Sequence, residues 1–271
     1  MRGPSALGGG VRRFAYLAVM LAWTNFKLRF FGSVLGYLWQ LLRPLALFAV
    51  LLFVFTRVAK VGDAVASYPV VLIANIVLFT WFADGSSAVT SLVDHENIVR
   101  KVHFPRLAIP VAVVLTASLN LLLNGLVVLV FALALGVRPR WTWLELPLLV
   151  GALGLLTLGV AMLLSALYVR FRDVKPIWDV ALQVLFYGSP VLYALETVDL
   201  PLWVRELMMI NPLAAILQEV RHAVIDPAAP TAAALAGGGW RLLVPAGIIL
   251  GVFAVGYAVF DRQAPHIAEQ L

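Results

Sequence analysis

Residues 107–135 read LAIPVAVVLTASLNLLLNGLVVLVFALAL, a stretch of 29 residues that contains no Asp, Glu, Lys or Arg. A helix needs about 20 mostly apolar residues to cross the roughly 30 Å hydrocarbon core of a bilayer. Lipid offers the backbone no hydrogen-bond partners, so a spanning segment must be a helix or a barrel strand, and the alternating pattern of a barrel strand is absent. The stretch therefore predicts a transmembrane helix.

Five more stretches are long and apolar enough to cross a bilayer. They cover residues 38–58, 69–93, 144–168, 177–195 and 241–260. The composition agrees, because 62% of the residues are hydrophobic and only 13% are charged, about half the share of charged residues in an ordinary soluble domain. The predicted fold class is an all-α membrane protein with six transmembrane helices, forming a single domain over residues 1–271.

Two segments outside the spans need separate interpretations. Residues 14–31 follow Arg12 and Arg13 and could be a signal peptide, but their apolar core is short and no small-residue cleavage site follows. Residues 1–31 are therefore predicted to be a tail and an amphipathic helix in the membrane interface, either as a plain anchor or as a working part. Residues 196–239 are divided by prolines and predict short helices at 202–210 and 213–225. These would form an extracytoplasmic cap or re-entrant hairpins.

The distribution of basic residues predicts the orientation. With six spans, the side that holds the termini and the loops 94–106 and 169–176 receives twelve Lys and Arg residues, and the opposite side receives seven. Cytoplasmic loops carry the excess of positive charge, so both termini are predicted to be cytoplasmic. The net charge of +6 is thereby assigned to membrane orientation, and no nucleic-acid partner is predicted.

The sequence offers no catalytic or metal site. It contains no cysteine, no GxxxxGK[ST] phosphate loop, no HExxH and no GxSxG, and its four histidines lack metal-ligand spacing. Arg43, Asp84 and Asp179 are the deepest ionisable residues in the predicted spans. Arg43 could pair with either aspartate or contact the pyrophosphate of a lipid carrier, and pairing is the simpler hypothesis.

Short motifs occur between the predicted spans in a fixed order. They are KLRFFGSVLGYLW at 27–39 followed by Pro44, FTWFAD at 79–84, NIVRKVHFPR at 97–106, YVRFRDV at 168–174, SPVLY at 189–193 and Asn211-Pro212. Together with the six spans, this series resembles the ABC-2 type permeases that export polysaccharides, including the O-antigen, capsule and teichoic acid transporters.

The resemblance implies a homodimer in the bacterial cytoplasmic membrane, bound to two separate ATPase subunits. ATP and magnesium would belong to those subunits, and this chain would hold no cofactor. It also implies a cytoplasmic coupling helix within residues 94–106, where ionic ends and an apolar ridge suit a protein interface and Pro105 would end the helix. A solvated loop that obeys the positive-inside rule is the alternative. The coupling candidates are Asp94, Glu96, Asn97, Ile98, Val99, Arg100, Lys101, Val102, Phe104, Pro105 and Arg106.

Aromatic residues in the matching motifs could line a path for a glycan, because aromatic faces stack on sugars without holding them as fixed charges would. The substrate-path candidates are Tyr37, Trp39, Arg43, Phe79, Trp81, Phe82, Tyr187 and Tyr193, with Phe186 beside them. The alternative is that they form interfacial belts and ordinary helix contacts.

The function predicted from the resemblance is therefore that of a permease subunit for a lipid-linked cell-surface polysaccharide. Two rival hypotheses remain. One is an ABC-2 exporter of small drugs or lipids, and the other is a transporter or scramblase that needs no ATPase.

Overall fold

The computed structural model describes residues 10–30, 36–58, 65, 67–96 and 104–267, and within these residues all regular structure is helical. In chain order the helices are α1 (Val11–Phe30), α2 (Gly36–Phe53), α3 (Tyr68–Ser86), α4 (Ala108–Ala134), α5 (Leu146–Arg170), α6 (Val174–Gly188), α7 (Leu202–Met208), α8 (Pro212–Val220), α9 (Ala232–Leu235) and α10 (Leu243–Gln263). Tighter or wider turns extend several of them, so that α3 continues to Asp94.

Five of the described helices are long and apolar enough to cross a membrane. With their end turns they cover Leu41–Val58, Tyr68–Asp94, Ala108–Ala134, Trp141–Arg170 and Gly239–His266. These correspond to the predicted spans 38–58, 69–93, 107–135, 144–168 and 241–260. The prediction of an all-α membrane protein is confirmed.

The predicted span 177–195 is wrong as one continuous helix. Its helix, α6, has 15 residues and ends at Gly188, which gives a length of about 22 Å. Pro190 disfavours helical backbone at Ser189, which is extended. The Asn75 amide donates to the Pro190 carbonyl at 3.0 Å, and the Tyr68 hydroxyl donates to the Leu192 carbonyl at 2.7 Å. Side chains of α3 thus take over the hydrogen bonds that a continued helix would have made.

The two short helices predicted after this break are present as α7 and α8. The Asn211 side chain caps α8 by accepting from the Leu213 backbone N–H at 3.0 Å, and Pro212 occupies the first helical position. All residues of α8 except Glu219 are buried. The helix therefore lies inside the protein and not on its surface.

The bundle has two ends, which we name from the residues they contain. The proximal end contains Leu92, Phe104 and Phe260, which pack in one cluster. The distal end contains Trp143 and Val224, where the indole N–H of Trp143 donates to the Val224 carbonyl at 3.0 Å. Both α3 and α5 run the full distance between the two ends.

Helix α1 packs lengthwise against α4. Ala18, Ala22 and Phe26, spaced one turn apart, are buried, and the Thr116 hydroxyl oxygen of α4 lies 3.2 Å from the Ala22 carbonyl oxygen. Tyr16 and Trp23 are exposed on the other side. The helix predicted in residues 14–31 is thus present, with an outward face that is itself largely apolar.

Helices α5 and α10 meet at two glycines. A Cβ added at Gly256 would lie 2.2 Å from the Gly159 carbonyl oxygen, and one added at Gly159 would lie 2.7 Å from the backbone of Phe253. Small residues of this kind allow the backbones of membrane helices to approach closely and pack. Gly251, on the same helix α10, has open space around its Cα.

We expect Gly256→Ala to lower the stability of the protein by about 1–3 kcal/mol, because the added methyl group forces α5 and α10 apart. Gly251→Ala is the matched control, and it should leave stability unchanged or raise it slightly, since alanine favours helix more than glycine does. Thermal unfolding of the purified protein in detergent measures both. Equal unfolding temperatures for the two variants would contradict the close contact.

Candidate functional site

The predicted coupling segment begins at the proximal end of α3. The Thr90 hydroxyl donates to the Asp94 carboxylate at 2.7 Å, and a ring nitrogen of His95 lies 2.8 Å from the Ser91 carbonyl oxygen. These contacts fix the last turn before the segment. Six of its predicted residues lie outside the described residues, so their role stays a prediction; they are Asn97, Ile98, Val99, Arg100, Lys101 and Val102.

Both ends of the segment are anchored in one apolar cluster. We call it the proximal cluster; it consists of Leu92, Phe104, Leu107, Ile109, Met162, Ala166, Val169, Phe260, Ala264 and Ile267. Leu92 precedes the segment, and Phe104 belongs to its last residues. Other members come from α4, α5 and the C-terminal part of α10, and α1 packs against the cluster through Phe14 and Leu17. A displacement of the segment would therefore reach four helices at once.

The described coupling candidates divide into an outward set and an inward set. Asp94 is exposed and Glu96 is half-buried, as expected for an ionic end of an interface. Phe104 is only 7% exposed and packs within its own chain, so its ring is directed away from a docking surface. Pro105 is also buried, and it precedes the start of α4 as predicted. The apolar ridge proposed from the sequence would thus rest on residues 98–102.

Arg106 has a partner that its sequence context did not indicate. Its guanidinium is 4% exposed and donates to the Ala264 carbonyl in the turn that follows α10. Carbonyls at a helix C-terminus lack intrahelical partners and carry partial negative charge, so a buried arginine stabilises them. The sequence suggested Arg106 as a coupling residue or as part of a solvated loop, whereas in the structure it attaches the C-terminal turn to the segment.

Three substrate-path candidates are buried between helices of the chain. Phe79 packs edge-on against Phe186 with ring centroids 5.0 Å apart, and Phe82 packs against Trp178 at 6.1 Å. The indole N–H of Trp81 donates to the Ser118 hydroxyl at 3.2 Å. All three α3 aromatics are less than 10% exposed. They hold α3 to α6 and α4 in this conformation, and their contact with a glycan stays a prediction.

The other path candidates lie on or near the surface. Trp39 is 62% exposed and Tyr187 is 68% exposed, Arg43 is exposed, and half-buried Tyr193 donates its hydroxyl to the Tyr187 carbonyl at 3.3 Å. The side chain of Tyr37 lies outside those that the structure describes. Exposed apolar residues continue along the same helices: Leu38, Leu42, Leu47, Val50 and Phe53 on α2, and Ile177, Val180 and Val184 on α6.

The structure contradicts one of the ion pairs that the sequence suggests, the pair between Arg43 and Asp179. Lys175 donates to the Asp179 carboxylate at 2.9 Å, one turn along α6, so the partner of Asp179 is Lys175 and not Arg43. The pair lies in the first turns of α6 and is exposed on both sides. Surface pairs of this kind contribute about 0.3–0.5 kcal/mol.

The sequence did not reveal a buried ion cluster at the distal end. Arg221 is 4% exposed, forms a salt bridge with Glu196 and lies 3.8 Å from the Asp226 carboxylate. Arg221 joins the non-helical segment after α6 to the end of α8. Arg221 and Asp226 are five residues apart, whereas Glu196 lies 25 residues before Arg221 and is brought to them by the fold. In the described part of the chain, no three His, Asp or Glu side chains form a cluster that could hold a metal ion.

Comparison with known proteins agrees with the motif series. Residues 16–225 match the family model described as ABC-2 type transporter. Two O-antigen export system permease proteins RfbA of Klebsiella pneumoniae are 29% and 28% identical to the chain over 257 residues. A protein of the same name from Myxococcus xanthus is 27% identical over 260 residues. Each alignment covers 94% of this chain and 95% of the relative.

We expect Arg106→Gln to loosen the C-terminal turn at residues 260–267, because the loss of a charge-assisted hydrogen bond costs about 1.5–3 kcal/mol. Hydrogen exchange of the backbone amides in that turn should become roughly 10- to 100-fold faster. Arg172→Gln, which alters an exposed arginine at the same end, is the control and should leave that exchange unchanged. Unaltered exchange in Arg106→Gln would contradict the anchoring role.

Proposed function

Because this chain belongs to the ABC-2 type transporter family, we propose that it is the membrane-spanning subunit of an ATP-driven exporter that moves a cell-surface polysaccharide out of a bacterial cell. The observation that carries the proposal is the similarity to O-antigen export permeases over 94% of the chain. An alignment of that extent includes the spans, the loops and the distal helices, and not only a shared apolar composition. The family further implies a transporter subunit that works with ATP-binding subunits.

The movement driven by ATP hydrolysis would be transmitted to this chain at residues 94–106. The support is mechanical: both ends of that segment are anchored in the proximal cluster, which also contains residues of α5 and α10 and contacts α1. Packed cores respond to small displacements by moving whole helices, since their side chains have few alternative arrangements. Closure of two ATPase subunits on this segment would therefore tilt the helices together. Both chain termini would lie on the cytoplasmic side with it.

The passage would form between two copies of the chain. The exposed faces of α2 and α6 support this, because the α6 face carries Gln183 among apolar residues, well inside the helix. An amide side chain is costly against lipid but is compatible with a wet passage. Exposed Trp39 and Tyr187 would then be the path residues in this conformation. Helix α6 followed by residues 189–195 would complete the sixth crossing.

The exported polymer would be carried on a lipid and enter from the cytoplasmic leaflet. Arg43, exposed on α2, is the candidate contact for the negative charge of the carrier. An exposed arginine can also extend toward the lipid headgroups without contacting a carrier, and measurements of export distinguish the two roles.

The proposed function is tested by reconstitution of the permease in liposomes with the ATPase subunit and a labelled lipid-linked glycan. We expect ATP-dependent translocation with both subunits present and none with the permease alone, because the chain has no phosphate-binding loop. ATP-driven transport of small hydrophobic drugs in place of the glycan would replace the proposal by its nearest rival.

Within the same assay, Trp39→Ala and Tyr187→Ala should slow glycan translocation several-fold, since stacking on an aromatic face contributes about 1 kcal/mol. Trp141→Ala is the matched control, because Trp141 is 89% exposed and lies at the distal end away from α2 and α6. Normal translocation in both path variants would remove these aromatics from the path.

The coupling role is tested by the double variant Ile98→Asp, Val102→Asp. Two carboxylates in an apolar interface cost several kcal/mol, so we expect at least about a 100-fold loss of affinity for the ATPase subunit. Co-purification of the two subunits measures it. Ala228→Asp, an exposed site at the distal end, controls for added charge. Undiminished complex with the double variant would exclude docking on this segment.

A further inference from the structure

A cleft of about 330 Å³ lies at the distal end, between α7 and the start of α10. It is separate from the proximal cluster and from the exposed faces of α2 and α6. Its walls combine two indole rings, one ion pair and several aliphatic side chains. The principal lining residues are Trp203, Glu206, Leu207, Ile210, Trp240 and Arg241.

The ion pair forms the polar part of the cleft. A terminal nitrogen of Arg241, Nη1, lies 2.5 Å from the Glu206 carboxylate and also donates to the Ala236 carbonyl at 2.9 Å. The guanidinium lies 5.7 Å from the centre of the Trp240 ring. Both charged side chains are more than a third exposed. The two hydrogen-bonding contacts of Arg241 use the same nitrogen, so its other N–H donors remain available to a ligand.

A glycine turn makes room for this pair. Gly237 has a φ of +78°, and a Cβ there would lie 2.7 Å from a Glu206 carboxylate oxygen and 2.9 Å from Arg241 Nη1. Only glycine fits both the backbone conformation and the space. Gly237 therefore allows Glu206 of α7 and Arg241, just before α10, to approach each other.

The surroundings of the cleft place it at the boundary between lipid and water. Trp203 is 65% exposed and Trp240 is 70% exposed, and a membrane-spanning segment begins at Gly239. Leu202 and Leu243, beside the two tryptophans, are each more than 70% exposed. Exposed tryptophans and leucines at the end of a span are typical of the headgroup level of a bilayer. The ligand that reaches such a cleft from the membrane is a lipid.

We propose that this cleft binds the headgroup of a phospholipid that carries a primary amine. Arg241 would donate to the phosphate and Glu206 would accept from the ammonium group, while Leu207, Ile210 and Val244 would contact the upper acyl chain. The charge pattern selects this class, because Glu206 repels a purely anionic headgroup. A trimethylated amine has no N–H to donate to the carboxylate, so its binding is weaker.

The bound lipid would act as a brace between α7 and α10. Helix α7 leads directly into α8, the buried helix that packs against α5 and α10. Occupancy of the cleft would therefore hold the distal segment in its packed position. This inference requires only that the chain is embedded in a membrane, and it does not depend on the identity of the exported polymer.

The test uses the purified full-length permease in detergent, to which dioleoyl phosphatidylethanolamine, phosphatidylcholine or phosphatidylglycerol is added. Native mass spectrometry measures the dissociation constant of each lipid, and thermal unfolding measures the stabilisation. We expect the ethanolamine lipid to bind about tenfold more tightly than the other two and to raise the unfolding temperature most. Glu206→Gln and Arg241→Gln should each weaken it about tenfold and remove the preference. Arg138→Gln, an exposed arginine at the distal end, should retain both.

Glu206→Gln decides the outcome if Arg241→Gln unfolds the segment, because the amide can still accept a hydrogen bond from Arg241. A preference for the ethanolamine lipid that survives Glu206→Gln would overturn the proposal. So would equal binding of the three lipids by the unaltered protein. Stabilisation by a soluble oligosaccharide, in the absence of any lipid effect, would assign the cleft to the exported glycan instead.

Discussion

Every backbone group within a bilayer needs a hydrogen-bond partner inside the protein, and this constraint determines where the structure departs from simple helices. Most of the chain satisfies it with long helices. Among the described residues, a departure occurs after Gly188, where the helix stops and the carbonyls of Pro190 and Leu192 receive hydrogen bonds from Asn75 and Tyr68 of α3. Asn211 closes the same region by donating to the Ser189 hydroxyl at 2.9 Å and by capping α8. Polar side chains of α3 and Asn211 thus supply hydrogen bonds in place of those of a continuous helix.

Both ends of the bundle contain apolar clusters, and different polar contacts accompany them. At the proximal end an apolar cluster joins residues that flank the loop 94–106 to helices from both halves of the chain, and Arg106 adds one directed hydrogen bond to the turn after α10. At the distal end two apolar clusters, one around Val70 and Val137 and one around Met209 and Ala214, are accompanied by the ion pairs of Arg221 and Arg241.

Arginines show how the same residue type serves several purposes. Arg106 and Arg221 are each 4% exposed, and each joins segments that are distant in the sequence. Arg43 is exposed on α2, and Arg241 lies half-exposed in a cleft with Glu206. Counting positive charges predicts the orientation of such a chain, but it does not show which arginines are buried. Their burial and partners separate the two that hold the fold from the two that remain open to a ligand.

The sequence by itself determined the class of protein, five of the spans, the short distal helices and the family. Those features depend on local properties: apolar length, proline position, capping residues and motif order. Tertiary structure alone decided that side chains of α3 bond the carbonyls of Pro190 and Leu192, that Phe79, Trp81 and Phe82 are packed inside the chain, that Phe104 faces inward and that Glu206 meets Arg241. The physical reason is that apolar and aromatic residues give the same sequence pattern whether they face lipid, a passage or another helix. Only the packing of distant segments distinguishes these environments.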